Sequence, residues 1–481
     1  MCRAGEESNL HDFGHARPMP KPFAPPARDR QTSDALAGPK HRSRQRVNDG
    51  APLTLLAGRC LRGTDIAPAN IIDRNHTKRS WTKSVNRRAS ILIGAIALAM
   101  LTQTLPAHES PASADDRRCA TAGFSVPRDR IDRLARGFNL TGWLDNEDTV
   151  TRPDMTVLAG LRARGFTHIR LPIAPEKFMQ PFTAPSPVAR NLAQLDDALD
   201  RLHDLGFSVS LDLHSGDRLG SLLETNPEPA LVLIKALWRK LARRYAARPA
   251  DTLFFEVLNE PNIESTIWAR WGPQLVDAIR LEAPDHTVVY AVSQYQRVDE
   301  LTWHSPLAQA NVVYAAHYYD PMIFTHQGLD WSDGPLQYLH GVPFPLIGSD
   351  PRVGRLIRDL LQQGHTEAAD DIAKERGEAW DARRIEAAIG EAADWSKRNR
   401  VPVVINEFGV LTWKADPADR IRWLGTVSGA AESRCIGWAV WDYAEGFGFV
   451  KRTGNREIPD EAVLSALLGQ PGKATQAVAL P

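Results

Sequence analysis

Phe254-Phe255-Glu256-Val257-Leu258-Asn259-Glu260-Pro261-Asn262 is the stretch whose reading decides the fold. An apolar run with aromatic and β-branched residues, halted by a proline, suits a strand covered on both faces, and such strands belong to parallel sheets. Glu260 is then expected at the strand's carboxyl end. A carboxylate is expensive to hide in a core, so an acidic strand tip should line a cleft. Further along, Val403-Val404-Ile405-Asn406-Glu407-Phe408-Gly409 repeats the pattern, an apolar strand ending in Asn and Glu.

Working outward, strand and helix signals alternate. Residues 137–141 read as a first strand. A second runs over 167–171, contains Arg170 and is ended by Pro172. A third covers 208–213 with His214 at its tip. The fifth, sixth and eighth fall at 287–291, 311–319 and 437–441. Helical periodicity separates them at 154–164, 192–205, 228–247, 268–282, 381–397 and 419–432, with further helices at 350–363 and 459–468. Strand-helix alternation of this kind predicts an α/β fold, a (β/α)8 TIM barrel forming a single catalytic domain. Residues 320–351 carry Pro, Gly, His and Trp without periodicity. They make an extended segment between strands six and seven, too long for a plain loop unless it is functional, and are read as a wall of the cleft.

Two strand-end carboxylates are the minimum equipment for retaining glycoside hydrolysis, in which one protonates the leaving oxygen and the other attacks the anomeric carbon. With the pair in this order and on these strands, residues 136–468 resemble glycoside hydrolase family 5, the cellulase family of the clan A retaining β-glycosidases. The resemblance implies that Glu260 is the acid/base and Glu407 the nucleophile. It also implies that Arg170, His214, Asn259, His317, Tyr319 and Trp441 bind the sugar around the scissile bond. Each type suits its task. Arg170 beside Glu407 would keep it charged, and Tyr319 could donate to it. Asn259 can bond the sugar 2-hydroxyl, His214 and His317 can orient hydroxyl or carboxyl groups, and Trp441 can stack under the sugar.

Bland alternatives stand beside these: buried ion pairs for Arg170, a corner tyrosine for Tyr319, satisfied core histidines for His214 and His317. Trp143, Trp331 and Trp413 follow strands and are candidates for outer sugar subsites, as is Trp303. Trp238, Trp268, Trp395 and Trp423 fall in helices and should pack against the sheet. Neither His-x-His nor His-Glu-x-x-His spacing occurs near the tips, so no metal and no cofactor is expected.

Composition agrees with a neutral partner. The formal net charge is zero, which gives no footing for nucleic acid, and 13 Trp residues offer flat faces for pyranose rings. The expected partner is a β-linked polysaccharide or oligosaccharide, and the protein is expected to be a monomer. The most direct reading is a cellulose-cutting endo-β-1,4-glucanase. Mannan or β-1,3/1,6-glucan remain open as substrates, as do a non-catalytic polysaccharide-binding barrel and a metal-dependent barrel hydrolase.

Outside the barrel, residues 1–84 are rich in Arg, Pro, Ser and Asp, lack periodicity and are expected to be a disordered extension. Residues 85–114 have the parts of a signal peptide: Arg87-Arg88, a short apolar run over 91–101, and Ala112-Ser113-Ala114. Its internal position is read as a start downstream of Met1. Export to a secreted or periplasmic location follows, with no stable membrane association after cleavage; a membrane anchor is the rival reading. Residues 115–135 form an arm, 136–470 the barrel and 471–481 a tail. Of four cysteines, Cys2 and Cys60 precede the leader. Cys119 and Cys435 remain, and in an oxidising compartment can pair or stay as buried thiols.

Overall fold

Eight parallel strands close into a barrel in chain order. They are β1 (Arg136–Asn139), β2 (His168–Ile173), β3 (Ser208–Leu213), β4 (Leu253–Glu256), β5 (Val288–Ala291), β6 (Val312–His317), β7 (Val403–Glu407) and β8 (Gly437–Val440). The computed structural model describes residues 119, 123–146, 150–180 and 182–469, which all fall in one compact unit. The expected extension, the leader over 85–114 and the tail over 471–481 lie outside the described residues.

Strands β2 to β7 are buried along their whole length, which is why their sequences run apolar instead of alternating. Their two faces nevertheless differ. Phe255 packs outward, ring against Trp238 of the helix Pro227–Tyr245, in the large core between barrel and helices. Phe254 points the other way, into the barrel, where it meets Val289, Val313, Ala315 and Val404. Val126 and Leu134 join that inner cluster, and the helix Arg128–Arg133 between them adds Ile131. The end of the arm is therefore the plug of the barrel's amino-terminal end.

One step further along each strand the inward residues become polar. Asn139, Arg170, Asp212, Glu256 and Asn406 are all buried. The barrel is thus closed at one end mainly by hydrocarbon, with the bonded pair His168 and Ser210 beside it, and at the other by hydrogen bonds, the end that carries active sites in this fold.

Several local expectations need correcting. Pro172 does not end β2, since it pairs with Asp212 within the ladder. Pairing to β1 has already stopped at Asn139 and Arg170, so the missing N–H interrupts nothing there. Strand β4 ends at Glu256, so Glu260 lies beyond the strand, in a left-handed conformation at φ 40°. Segment 320–351 holds a short helix, Met322–Thr325, and a 3-10 turn, Pro335–Tyr338. The helices Asp217–Thr225 and Thr366–Glu375 and the hairpin of β9 (Val450–Thr453) with β10 (Arg456–Pro459) were not anticipated. Trp238, Trp268, Trp395 and Trp423 are buried in the core, as helix packing predicts. Among the described residues no helix is long and apolar enough to cross a membrane.

Cys119 and Cys435 are joined by a disulfide spanning 316 residues of sequence. Closing so long a loop removes freedom from the unfolded chain, and such bridges stabilise by roughly 2–4 kcal/mol. Reduction is expected to lower the denaturation midpoint of the wild-type protein and leave Cys435→Ser unmoved. Equal midpoints for oxidised and reduced wild type would show that the bridge constrains nothing.

Candidate active site

Arg170 organises the barrel mouth. Its guanidinium has no exposed surface and is ringed by acceptors. Nε and one NH2 group donate to the two Glu256 oxygens at 2.8 Å each. Asn139 and Asn259 accept at 2.9 and 2.7 Å, Asp212 lies at 3.1 Å, and Glu407 is bonded directly. A lysine could not serve so many partners, because only the planar fork has five donors. From sequence Arg170 was expected beside Glu407, and it is there. Asp212, Glu256, Asn139 and Asn406, whose amide donates to Glu256 at 2.8 Å, were missed. The signal for Asp212 and Glu256 was an acid inside an apolar strand, two residues from another inward position.

Glu407 ends β7 and has a donor on each oxygen, Arg170 on Oε1 and the Tyr319 hydroxyl on Oε2 at 3.0 Å. Glu260 has a different setting. Its Oε1 lies 2.8 Å from His317 Nδ1, and its backbone N–H donates to Gln296 at 2.7 Å. Burial pushes the Glu260 carboxyl up to about 7, with His214 and Arg170 pulling it back. Glu407 is also raised by burial, against the pull of His317 and Arg170. Both groups are lifted because both are buried, and their donors separate them. A guanidinium and a hydroxyl stabilise an anion at Glu407, while the direct partner of the Glu260 carboxyl is an imidazole whose own pKa burial depresses to about 4. One oxygen of Glu260, one of Glu407 and one His317 ring nitrogen lie within 4.8 Å of one another. By type and spacing these three could hold a cation, but each carboxylate already has donors bound to it.

Asn259 links the halves of the site, its Oδ1 accepting from Arg170 and its amide 3.3 Å from His214 Nε2. His214 Nδ1 meets Asp212 at 3.1 Å, and the ring stacks on Trp441 at 5.5 Å and 18°. Asp212 is itself raised to about 7, chiefly by burial. Trp441 is held from below by a close backbone crossing. Its N–H donates to Phe408 at 2.8 Å, and a Cβ on Gly409 would come within 2.2 Å of its carbonyl oxygen, so only glycine fits there. The loop that carries His214 is pinned by a buried group. Glu176 accepts the N–H groups of Gly216 and Leu219 at 3.2 and 2.9 Å, at the start of the helix Asp217–Thr225.

The candidate outer aromatics divide. Trp331 packs edge-on against Trp413 at 5.4 Å and joins the cluster of Leu411, Trp441, Phe447 and Tyr319, so both extend the aromatic surface of the mouth. Segment 320–351 is tied to the loop after β7 by Leu411 N–H to Thr325 at 2.8 Å and Gly341 N–H to Lys414 at 3.2 Å. Trp143 is no subsite, because it is 2% exposed and belongs to the main core. Trp303 is 85% exposed on the helix Val298–Trp303 and is not part of the aromatic cluster at the mouth.

An eight-stranded parallel barrel with buried, paired carboxylates at its carboxyl-terminal mouth is the build of a barrel hydrolase. The family model Cellulase (glycosyl hydrolase family 5) matches residues 131–445. The chain belongs to this family and is a glycoside hydrolase. It is 26% identical over 345 residues to Endoglucanase 3 of Fibrobacter succinogenes, covering 66% of this chain and 50% of that protein. The chain therefore spans only about half the length of that relative. With Endoglucanase C of Acetivibrio thermocellus it is 25% identical over 323 residues, 64% of this chain and 90% of the relative. Thermotoga maritima Cel5A, solved with cellobiose, is 26% identical at a TM-score of 0.56, covering 70% of this chain and 99% of that one. The same Cel5A has also been solved with mannotriose.

Proposed function

We propose that this glycoside hydrolase is a retaining endo-β-1,4-glucanase in which Glu260 is the acid/base and Glu407 the nucleophile. The observation that carries the reading is that one carboxylate oxygen of Glu260 and one of Glu407 lie within 4.8 Å of each other. Direct attack calls for carboxyl groups about 5–5.5 Å apart, whereas an inverting site needs roughly 6.5–9.5 Å to admit a water. Glu260, protonated near neutral pH, gives its proton to the leaving oxygen as Glu407 attacks the anomeric carbon. Neutral again once water has been deprotonated, Glu260 is ready for the next cycle. Arg170 and Tyr319 hold Glu407 as an anion with a fixed aim. The second amide hydrogen of Asn259 is available to the sugar 2-hydroxyl, and Trp441 with His214 offers a stacked face for the ring.

The names of the relatives support cellulose as substrate. A second reading, mannan, is favoured by the pair of Cel5A complexes, one with cellobiose and one with mannotriose. The leader-like sequence supports export, where such polymers are met. A panel of carboxymethyl cellulose, mixed-linkage β-glucan, mannan and xylan tests the reading, with anomers followed by proton NMR. Cellulosic substrates should give products of mixed length that appear first as the β anomer. First-formed α anomer would overturn retention, and a single disaccharide product would overturn endo action.

A further inference from the structure

The loop after β5 holds three consecutive non-glycine residues in the left-handed region, Gln294 at φ 56°, Tyr295 at 61° and Gln296 at 54°. Chirality disfavours this conformation for side chains other than Gly, Asn and Asp, so a run of three persists only where the surroundings over-determine it. What the run achieves is visible in the third residue. The main-chain oxygen of Gln296 accepts the N–H of His317 at 2.7 Å, and its side-chain Oε1 accepts the N–H of Glu260 at 2.7 Å. Glu260 and His317 are the two members of the 2.8 Å carboxyl-imidazole pair. Gln296 is fully buried, and its Nε2 has no hydrogen-bond partner among the described residues, so the side chain is held by what it does for Glu260.

Glu260 needs such a hold. Strand β4 stops at Glu256, and the last backbone bond to the neighbouring strand is Asn259 N–H to Leu213 at 2.8 Å. The next peptide turns left-handed and leaves the ladder. We propose that Gln296 is the positioning residue of the acid/base, fixing the backbone of Glu260 and of His317 at once so that the carboxyl is aimed at the leaving oxygen. This rests on the reading of Glu260 as the acid/base. A carboxyl displaced by about an ångström can lose roughly 100-fold, because proton transfer requires hydrogen-bond distance in the transition state.

The groups around Glu260 fix the expected pH effect. His317 faces it from β6, Glu407 from β7, Arg170 from β2, and Asp212 and His214 from β3; Tyr319 and Tyr295 stand near. Gln296 is neutral, so removing it changes no charge and acts through solvation and aim. Burial is what pushes Glu260 up to about 7. Water admitted to the freed N–H would bring the carboxyl back toward its ordinary value. Because the acid must be protonated, wild-type kcat/KM falls as pH rises through about 7, and this basic limb should move to lower pH when Gln296 is lost.

Gln296→Gly tests this without backbone strain, since glycine accepts the left-handed conformation. The substrates are 2,4-dinitrophenyl β-cellobioside, whose leaving group needs no proton, and cellotetraose, whose leaving group does. The corresponding manno-compounds serve if the panel selects mannan. Gln296→Gly should lose at least ~10-fold in kcat/KM on cellotetraose and less than ~3-fold on the aryl glycoside, with the basic limb shifted down. Gln296→Glu keeps the acceptor and adds a negative charge, so it should preserve the ratio between the substrates and shift the limb up. Equal losses on both substrates with an unmoved limb mean a merely structural role and overturn the proposal. Glu260→Ala runs in parallel. If it too lacks leaving-group dependence, the assignment of Glu260 has failed; if it has that dependence and Gln296→Gly does not, only the role of Gln296 has failed.

Discussion

Glu407→Ala is expected to abolish formation of the glycosyl-enzyme and to cut turnover on every substrate by on the order of 10⁴-fold or more. The group lost is the carboxylate that Arg170 and Tyr319 hold in place. Asp212 and Glu256 are committed to Arg170 inside the barrel, and Glu260 is paired with His317. Glu260→Ala should differ in kind. With a dinitrophenyl leaving group the first step proceeds without a proton, the glycosyl-enzyme forms, and the reaction stalls when water must be deprotonated. Azide needs no general base, so it should restore turnover to Glu260→Ala and yield the β-glycosyl azide through a second inversion. In Glu407→Ala azide can enter only in place of the nucleophile and should yield the α product. Swapped anomers would mean that the two roles are reversed.

The eight strands could be read from sequence because burial on both faces leaves an uninterrupted apolar run, a local property of the chain. The same holds for the residues at the strand tips. Arg170, His214, Asn259, Glu260, His317, Tyr319, Glu407 and Trp441 meet at one mouth because parallel strands point their carboxyl ends the same way. What lay beyond reach depends on contacts between distant segments. Gln296 sits in a loop with no pattern, and its meaning appears only when Glu260 and His317 are brought to it. Glu256 was read as part of an apolar run, yet inward parity sets it against Arg170, while Phe255 beside it faces the helices. Trp143 followed a strand, as a subsite residue would, and went instead into the core, since the direction of an indole after a turn is set by tertiary packing. Regular strand geometry in β4 ends at Glu256, yet Val257 and Leu258 are as apolar and as buried as the strand, and the N–H groups of Val257 and Asn259 still bond to Val289 and Leu213, so nothing local marks the end.

Arg170→Met is expected to destabilise the folded protein by about 3–5 kcal/mol at pH 7, the usual cost of removing one partner from a buried ionic cluster. The arginine has no exposed surface and is the cation shared by Asp212, Glu256 and Glu407. In the wild type Arg170 lowers the pKa of all three against a burial effect that raises them. Methionine would fill much of the volume and leave burial unopposed, so the three folded-state pKa values should climb further above their unfolded values. A carboxyl with a raised folded pKa is a liability that is absent below the unfolded pKa and grows as pH rises toward the folded one. The deficit of Arg170→Met relative to wild type should therefore be largest near pH 7 and above, and shrink as pH is lowered through 5 toward 4. Arg170→Lys retains the charge without the fork and should recover part of the stability at pH 7 but little activity, because one ammonium cannot hold Glu256, Asn259 and Glu407 together. Urea unfolding at pH 7 and pH 5, with the m-value checked for constancy, measures both effects. A deficit that stays flat across that range would show that the cluster is held by shape and hydrogen bonding, with charge contributing little.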